Sequence, residues 1–162
     1  MEIYLMQHGP ALPKDQDPEE GLSPAGKERI HAGGKALKKM GISFDVILSS
    51  PKKRSKETAA IVAEEVGFAS DKIVETEKVK AMTPPEETVQ ALSELSGAGR
   101  VLIAGHLPSV AETASFLLTE GSKAAVQFEM GGCCCIKVDE LPTHSGRLGW
   151  YLTPAQLKLI AS

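Results

Sequence analysis

Short apolar runs alternate along this chain with longer amphipathic segments, many of which start at Ser-Pro or Pro-Pro and stop at glycine. A short apolar run between turns is typical of a buried strand. A serine or proline start and a glycine stop are typical of a helix. Repeated strand–helix units form a mostly parallel sheet with helices on both faces. We therefore predict an α/β fold, a three-layer α/β/α sandwich around a mostly parallel central sheet.

The same signals place the individual elements. They predict strands at residues 2–6, 44–48, 73–74, 101–104, 133–138 and 148–152. They also predict helices at residues 23–40, 50–66, 84–95, 108–118 and from 153 onward. Residues 10–21 are polar and rich in proline and acid, so we predict a mobile loop beside the end of the first strand.

Composition limits the classes of protein to which this chain can belong. With 162 residues, 42% of them hydrophobic and 24% charged, it is predicted to form a single domain of residues 1–162. The net charge of −3 gives no general affinity for nucleic acid or for an anionic membrane. No apolar run approaches the roughly 20 residues that span a bilayer, and the N-terminus lacks a signal-peptide pattern, which predicts a cytoplasmic protein.

Three consecutive cysteines, Cys133, Cys134 and Cys135, stand in a predicted strand. Adjacent strand residues point to opposite faces, so these thiols cannot converge on one metal ion. We predict that they are small buried strand residues. Metal binding or redox sensing is the alternative.

Chemically useful side chains stand at the carboxyl ends of three predicted strands. His8 follows the first strand, between Gln7 and Gly9; Arg54 lies in the first turn of the second helix; and His106 follows the fourth strand. In α/β sheets these strand ends share one edge, where ligands bind. Two imidazoles, a guanidinium and a helix N-terminus around one cavity form a site for an oxyanion. Five similar residues are predicted to be structural or solvated: His31, His144, Lys52, Lys53 and Lys56.

Several motifs, in order, resemble the histidine phosphatase superfamily, which implies a phosphoglycerate mutase-like fold. Residues 6–9 are similar to its Arg-His-Gly motif, and residues 22–26 to its Leu-Thr-x-x-Gly motif. Residues 49–58 resemble Ser-Ser-Pro-x-x-Arg-Ala-x-Gln-Thr, and residues 105–108 resemble the second histidine motif. The ending at residues 150–158 is similar to that of the SixA-type phosphohistidine phosphatases, the branch that the chain resembles most.

The resemblance implies a mechanism that needs no metal and no cofactor. His8 attacks phosphorus and is transiently phosphorylated, and water then releases phosphate. Neutral imidazole is available for this because its ordinary pKa is about 6.5. Arg54 holds the phosphoryl oxygens, and a protonated His106 stabilises the charge that spreads in the transition state. Gln7 and Gly9 are expected to complete the phosphate pocket, Gly9 by letting the backbone approach the ring.

Three residues depart from the family pattern. Gln7 replaces the motif arginine, so a neutral amide stands where a charged donor is expected. Glu20 stands where SixA-type sequences often have a further arginine. Ala81 occupies the usual position of the leaving-group acid, and the nearest carboxylates, Glu77 and Glu86, are not obvious equivalents. Imidazole leaves with a pKa of about 6.5 and an alkoxide with one of about 16, so Ala81 favours a phosphohistidine substrate.

The leading hypothesis is a metal-independent phosphohistidine phosphatase. It would act on a phosphohistidine-bearing signalling or phosphotransfer protein through a phosphorylated His8. One alternative is a catalytically weakened or inactive relative that binds phosphorylated ligands, which Gln7 favours. Another alternative is a small-molecule phosphomonoesterase or mutase.

Overall fold

A six-stranded sheet forms the centre of the computed structural model, which describes residues 1–121 and 123–162. In chain order the strands are β1 (Glu2–Gln7), β2 (Val46–Ser49), β3 (Val74–Glu75), β4 (Arg100–Gly105), β5 (Cys133–Lys137) and β6 (Arg147–Leu152). Across the sheet they lie in the order β3-β2-β4-β1-β5-β6. The first four of these are parallel, whereas β5 runs antiparallel to both of its neighbours. The prediction of a mostly parallel sheet is confirmed.

Helices cover both faces of this sheet. They are α1 (Pro24–Lys39), α2 (Lys53–Val66), α3 (Pro85–Ser93), α4 (Ser109–Leu118) and α5 (Pro154–Ala161), with 3-10 turns at Ser70–Lys72 and Glu77–Val79. One core lies under α1, α2 and α5, and the other lies under α3 and α4. The predicted three-layer α/β/α sandwich is confirmed. Among the described residues, no helix is long and apolar enough to cross a membrane.

The sequence of β1 explains its central position. Tyr4 and Met6 enter the core under α1, α2 and α5, whereas Ile3 and Leu5 enter the core under α3 and α4. All four side chains are at most 3% exposed. A strand that is apolar on both faces is stable only between two layers of helices, where each buried aliphatic side chain contributes about 1.5–3 kcal/mol.

The register of β1 and β4 places the two predicted site histidines side by side. Gln7, the last residue of β1, lies opposite Gly105, the last residue of β4. The amide of His8 then donates to the Gly105 carbonyl oxygen at 2.9 Å. His8 and His106 therefore leave the sheet together at its carboxyl edge, as the parallel pairing predicts.

The three consecutive cysteines are buried strand residues, as predicted. Cys133 and Cys135 face the core under α1, α2 and α5, and Cys134 faces the opposite core. Each residue is at most 1% exposed. Burial raises the pKa of all three thiols, so they remain protonated at neutral pH.

Helix α2 begins at Lys53, later than its Ser-Pro signal predicts. The expected cap is Ser50, but its hydroxyl contacts the imidazole of His106 instead of an amide inside α2. The N-cap position falls on Lys52, which makes no side-chain capping bond. Local sequence rules predict the cap, and the contact with a distant strand end overrides it.

Residues 10–21, predicted to be a mobile loop, form a loop whose side chains contact α2. The Asp17 carboxylate accepts hydrogen bonds from the amides of Glu19 and Gly21, and from Lys53 on α2 at 2.8 Å. Composition predicts the loop, but it does not show that the acidic side chains have partners on a helix.

Candidate active site

Three predicted site residues come together at the carboxyl edge of the sheet. His8 follows β1, His106 follows β4, and Arg54 lies in the first turn of α2. The centroids of the two imidazole rings are 5.0 Å apart, and Arg54 Nε lies 3.2 Å from His8 Nε2. Because β4 lies between β1 and β2 in the sheet, these side chains from distant parts of the sequence surround one point.

The hydrogen bonds of His8 place a lone pair on Nε2. Nδ1 lies 2.7 Å from the carbonyl oxygen of Gly9, which can only accept, so Nδ1 carries the proton and donates it. Nε2 is therefore unprotonated and accepts the Nε–H of Arg54. Burial lowers the pKa of His8, and the charge of Arg54 lowers it further, so the ring is neutral at pH 7.

Gly9 and Thr58 fix the backbone beside His8. The Gly9 amide donates to Thr58 Oγ1 at 3.2 Å, and the Thr58 hydroxyl donates to the Arg54 carbonyl oxygen at 2.7 Å. A Cβ at Gly9 would lie 2.8 Å from Ile30 Cγ1 on α1. Glycine is thus required here by the close packing of α1, a reason that differs from the predicted approach to the substrate.

A second set of hydrogen bonds anchors the first turn of α2, which carries Arg54, to the sheet. Ser55 Oγ donates to the carbonyl oxygen of Ala104 on β4 at 2.7 Å. Ser55 Oγ also accepts the amide of Ser50 at 3.0 Å. Ser55 is fully buried, so these bonds are shielded from water. They connect the helix turn that carries Arg54 to the end of β4.

His106 is a neutral ring in this arrangement. Its Nε2 lies 2.6 Å from Ser50 Oγ, and the same hydroxyl oxygen accepts the amide of Lys52. Among the described residues, Nδ1 of His106 has no hydrogen-bond partner. Burial lowers the pKa of His106 to about 3, and His8, Arg54 and Lys52 contribute to this shift. A phosphoryl dianion beside the ring would raise the pKa again.

Gln7 is 6% exposed, and its side-chain oxygen is buried. Among the described residues, that oxygen has no hydrogen-bond partner. A buried acceptor without a donor destabilises the fold by about 1–3 kcal/mol. The neutral amide therefore replaces the motif arginine without an evident structural gain.

The loop of residues 10–21 places carboxylates against the cations at the start of α2. Glu20 Oε2 lies 3.9 Å from Arg54 Nη1. Lys53 Nζ lies 2.8 Å from Asp17 Oδ2 and 3.8 Å from Glu19 Oε2. Lys53 is thus paired, in contrast to the prediction of a solvated charge. The predicted phosphate-binding arginine already has a carboxylate beside it.

A cavity of about 520 Å³ opens beside Arg54 and His106. Lys52, predicted to be a solvated charge, lines this cavity, and so does Ala81. The position that the resemblance assigns to the leaving-group acid therefore does lie at the site, and it carries a methyl group.

Two carboxylates line the same cavity, and both are paired with lysines. Glu77 Oε2 lies 2.7 Å from Lys80 Nζ, and Glu87 Oε2 lies 2.7 Å from Lys78 Nζ. Glu86, a candidate in the sequence, lines a different cavity. Within residues 1–121 and 123–162, no three His, Cys, Asp or Glu side chains are grouped so that they could hold a metal ion.

Three residues near the site had no predicted part in the chemistry: Ser50, Thr58 and Glu87. Ser50 and Thr58 stand in the motif of residues 49–58, so the motif itself was the available signal. Glu87 lies on α3, outside every motif, and nothing in the sequence indicated its position.

The family model for the histidine phosphatase superfamily (branch 1) matches residues 3–82. Over these 80 of its 162 residues, the chain matches the histidine phosphatase superfamily. The matched segment includes His8 and Arg54, and His106 lies beyond it. The family is thus assigned from the part of the chain that carries the lone pair on His8 Nε2 and the guanidinium beside it.

Similar proteins extend this assignment. The mitochondrial serine/threonine-protein phosphatase Pgam5 of Drosophila yakuba is 31% identical over 90 residues, which are 54% of this chain and 31% of that protein. The chain thus matches about a third of the length of this relative. The solved structure of the protein histidine phosphatase SixA complexed with tungstate has a TM-score of 0.86 at 23% identity, over 98% of this chain and 100% of that one. A phosphoserine phosphatase mutant from Entamoeba histolytica, in complex with phosphoserine, has a TM-score of 0.70 at 14% identity, over 96% and 98% of the two chains. These structural likenesses support the fold.

Proposed function

We propose that this protein is a phosphohistidine phosphatase that works through a covalent phosphohistidine intermediate on His8. One observation carries the proposal: the unprotonated Nε2 of a neutral His8 lies 3.2 Å from the guanidinium of Arg54. A nucleophile beside a fork of cationic donors can attack a phosphoryl group whose oxygens those donors hold. The pairing of Nδ1 with the Gly9 carbonyl keeps the reactive lone pair on Nε2.

The reaction has two steps. In the first, a bond forms between His8 Nε2 and phosphorus, and the bond between phosphorus and the substrate nitrogen breaks. The leaving ring, protonated on its other nitrogen, keeps the electron pair and departs as neutral imidazole. In the second, a water oxygen bonds to phosphorus, the bond to His8 Nε2 breaks, and its electron pair returns to the ring. Inorganic phosphate is released, and the proton of the attacking water passes to solvent or phosphate.

The surroundings of the cavity support a phosphohistidine substrate. The side chain of Ala81 cannot protonate a leaving group, and the carboxylates of Glu77 and Glu87 are held by lysines. An imidazole leaving group has a pKa of about 6.5, so it departs without strong acid assistance, whereas an alkoxide with a pKa of about 16 does not. Transfer from one imidazole to another is also nearly balanced in free energy.

The same proposal names the partner and its location. A phosphohistidine-bearing signalling or phosphotransfer protein would present its phosphoryl group to His8. The fold likeness to the protein histidine phosphatase SixA supports this substrate class. A cytoplasmic location, predicted from the sequence, agrees with such a partner. The proposed chemistry uses no metal and no cofactor.

The test is to trap the intermediate. After brief incubation with a ³²P-phosphohistidine protein and rapid quenching in alkali, wild type is expected to carry acid-labile label on His8. His8→Ala is expected to carry no label and to show no turnover. His31→Ala, which removes a half-exposed histidine on α1, serves as the matched control. It is expected to keep both the label on His8 and the turnover of wild type. An unlabelled His8 in wild type, with the substrate protein still phosphorylated, would contradict the proposal.

A second candidate function is binding of phosphorylated ligands without turnover. Two observations favour it: Gln7 is neutral and has a buried, unpaired oxygen, and Glu20 lies beside Arg54. This candidate predicts measurable phosphate binding with no label on His8. The trapping experiment combined with a phosphate titration therefore separates the two functions.

A further inference from the structure

Glu20 is held in a backbone conformation that side-chain-bearing residues rarely adopt. Its φ is 53°, and among the described residues it is the one non-glycine residue with a positive φ. Such a conformation persists where surrounding contacts impose it, and it is frequent at functional sites. The contacts here come from Asp17, whose carboxylate accepts the amides of Glu19 and Gly21 on either side, and whose carbonyl oxygen accepts the amide of Glu20.

This conformation brings the Glu20 carboxylate within 3.9 Å of Arg54 Nη1. Two other loop carboxylates, Asp17 and Glu19, lie against Lys53. Glu20 is therefore the loop carboxylate directed at the guanidinium that is proposed to hold the phosphoryl group.

The geometry limits how far a bound phosphoryl group can be from Glu20. A phosphoryl oxygen that accepts a hydrogen bond from Arg54 Nη1 would lie about 2.9 Å from that nitrogen, and so within about 7 Å of Glu20 Oε2. The screening length in physiological salt is about 8 Å. The negative charge of Glu20 therefore acts on any phosphoryl group that Arg54 binds.

We propose that Glu20 is a specificity-determining residue that favours substrates with a positive charge beside the phosphoryl group. A phosphoryl dianion alone is repelled by the carboxylate. A substrate that also carries an ammonium or guanidinium group pairs that cation with Glu20 while Arg54 holds the phosphoryl oxygens. This inference rests on the proposed phosphoryl site at His8 and Arg54. For a protein substrate, it means an arginine or lysine adjacent to the phosphohistidine.

Two small phosphate monoesters of similar size test the proposal by binding alone. Ethyl phosphate carries no cation, and 2-aminoethyl phosphate carries an ammonium group in the place of one hydrogen of the methyl group. Calorimetric titrations compare wild type, Glu20→Gln and the control Glu19→Gln, which neutralises the neighbouring carboxylate that faces Lys53.

Wild type is expected to bind 2-aminoethyl phosphate about three- to tenfold more tightly than ethyl phosphate, a range set by the partial exposure of Glu20. Glu20→Gln is expected to bind the two equally, and to bind ethyl phosphate about three- to tenfold more tightly than wild type does. Glu19→Gln keeps the wild-type preference.

Equal binding of the two esters by wild type overturns the proposal, and so does a preference that survives in Glu20→Gln. Absence of binding of either ester by wild type and by Glu20→Gln also overturns it, together with the phosphoryl site at Arg54. Because the measurement needs no turnover, a protein that never becomes phosphorylated on His8 but shows the expected preference contradicts the proposed function alone.

Discussion

The hydroxyl oxygen of Ser50 lies 2.6 Å from Nε2 of His106, and both residues are at most 2% exposed. Ser50 follows β2 and His106 follows β4, so this bond joins two neighbouring strand ends. A buried bond of this kind sets the orientation of the ring. Ser50 is thus placed to position His106 relative to His8.

Ser50→Ala is expected to lower kcat roughly tenfold and to change KM little, because a misoriented His106 costs about 1 kcal/mol or more at the transition state. The matched control is Ser49→Ala, whose hydroxyl donates to the Ser50 carbonyl oxygen and does not contact the ring. Steady-state kinetics on a phosphohistidine substrate give both constants. Wild-type kcat in Ser50→Ala would show that the bond does not position the ring.

The buried, neutral state of His106 makes folding stability depend on pH. Its pKa falls from 6.5 to about 3 on folding, so the unfolded chain binds an extra proton below pH 6.5. The stability that this ring contributes is fully present above pH 6.5 and is lost as the pH falls toward 3. His106→Gln removes this titration. The urea midpoint is therefore expected to fall more in wild type than in His106→Gln between about pH 7.5 and about pH 5. An equal fall of the urea midpoint in the two proteins would contradict a neutral His106 in the folded state.

Gln7→Arg is expected to tighten the binding of inorganic phosphate roughly tenfold, because a charge-assisted donor replaces a neutral one. The variant is also expected to melt at a lower temperature, because the new cation would enter a position that is 6% exposed. The control Gln7→Met keeps the volume and removes the unpaired oxygen, so its free energy of unfolding should stay within about 1 kcal/mol of wild type. Calorimetry and thermal melts measure these effects. Unchanged phosphate affinity in Gln7→Arg would show that position 7 does not reach the phosphate.

Asp17→Ala is expected to loosen the loop of residues 10–21, because that carboxylate accepts the amides of Glu19 and Gly21 as well as the Lys53 ammonium. Lys14 lies within this loop, so brief trypsin treatment should cleave there faster in Asp17→Ala than in wild type. Asp15→Ala, which removes a carboxylate from the same loop, is the control and should be cleaved at the wild-type rate. Identical cleavage of all three proteins would mean that Asp17 does not fix the loop.

The order and type of the elements could be predicted because the apolar periodicity, proline starts and glycine stops all indicate the same units. The predictions were wrong where contacts between residues distant in the sequence determine the role of a side chain. Ser50 has the sequence signal of a helix cap, yet its hydroxyl contacts His106, and α2 begins at Lys53. Lys53 was predicted to be a solvated charge, yet it pairs with Asp17 in the loop of residues 10–21.

The part of the site that could be predicted consists of residues at or just after strand ends. His8, Arg54 and His106 meet because parallel strands end at one edge, which the sequence pattern indicates. The protonation of His106 could not be predicted, because it depends on how deeply the ring is buried. Glu87 could not be predicted either, because α3 brings it to the cavity from outside every motif.

The three buried cysteines give this protein an internal reporter of global unfolding. β5 lies between β1 and β6, so exposing these thiols requires the sheet itself to separate. An alkylating reagent should therefore label Cys133, Cys134 and Cys135 at one shared rate, set by whole-molecule opening and not by local fraying. Each variant described above could be ranked by that rate in native buffer, without denaturant and without any knowledge of the physiological substrate.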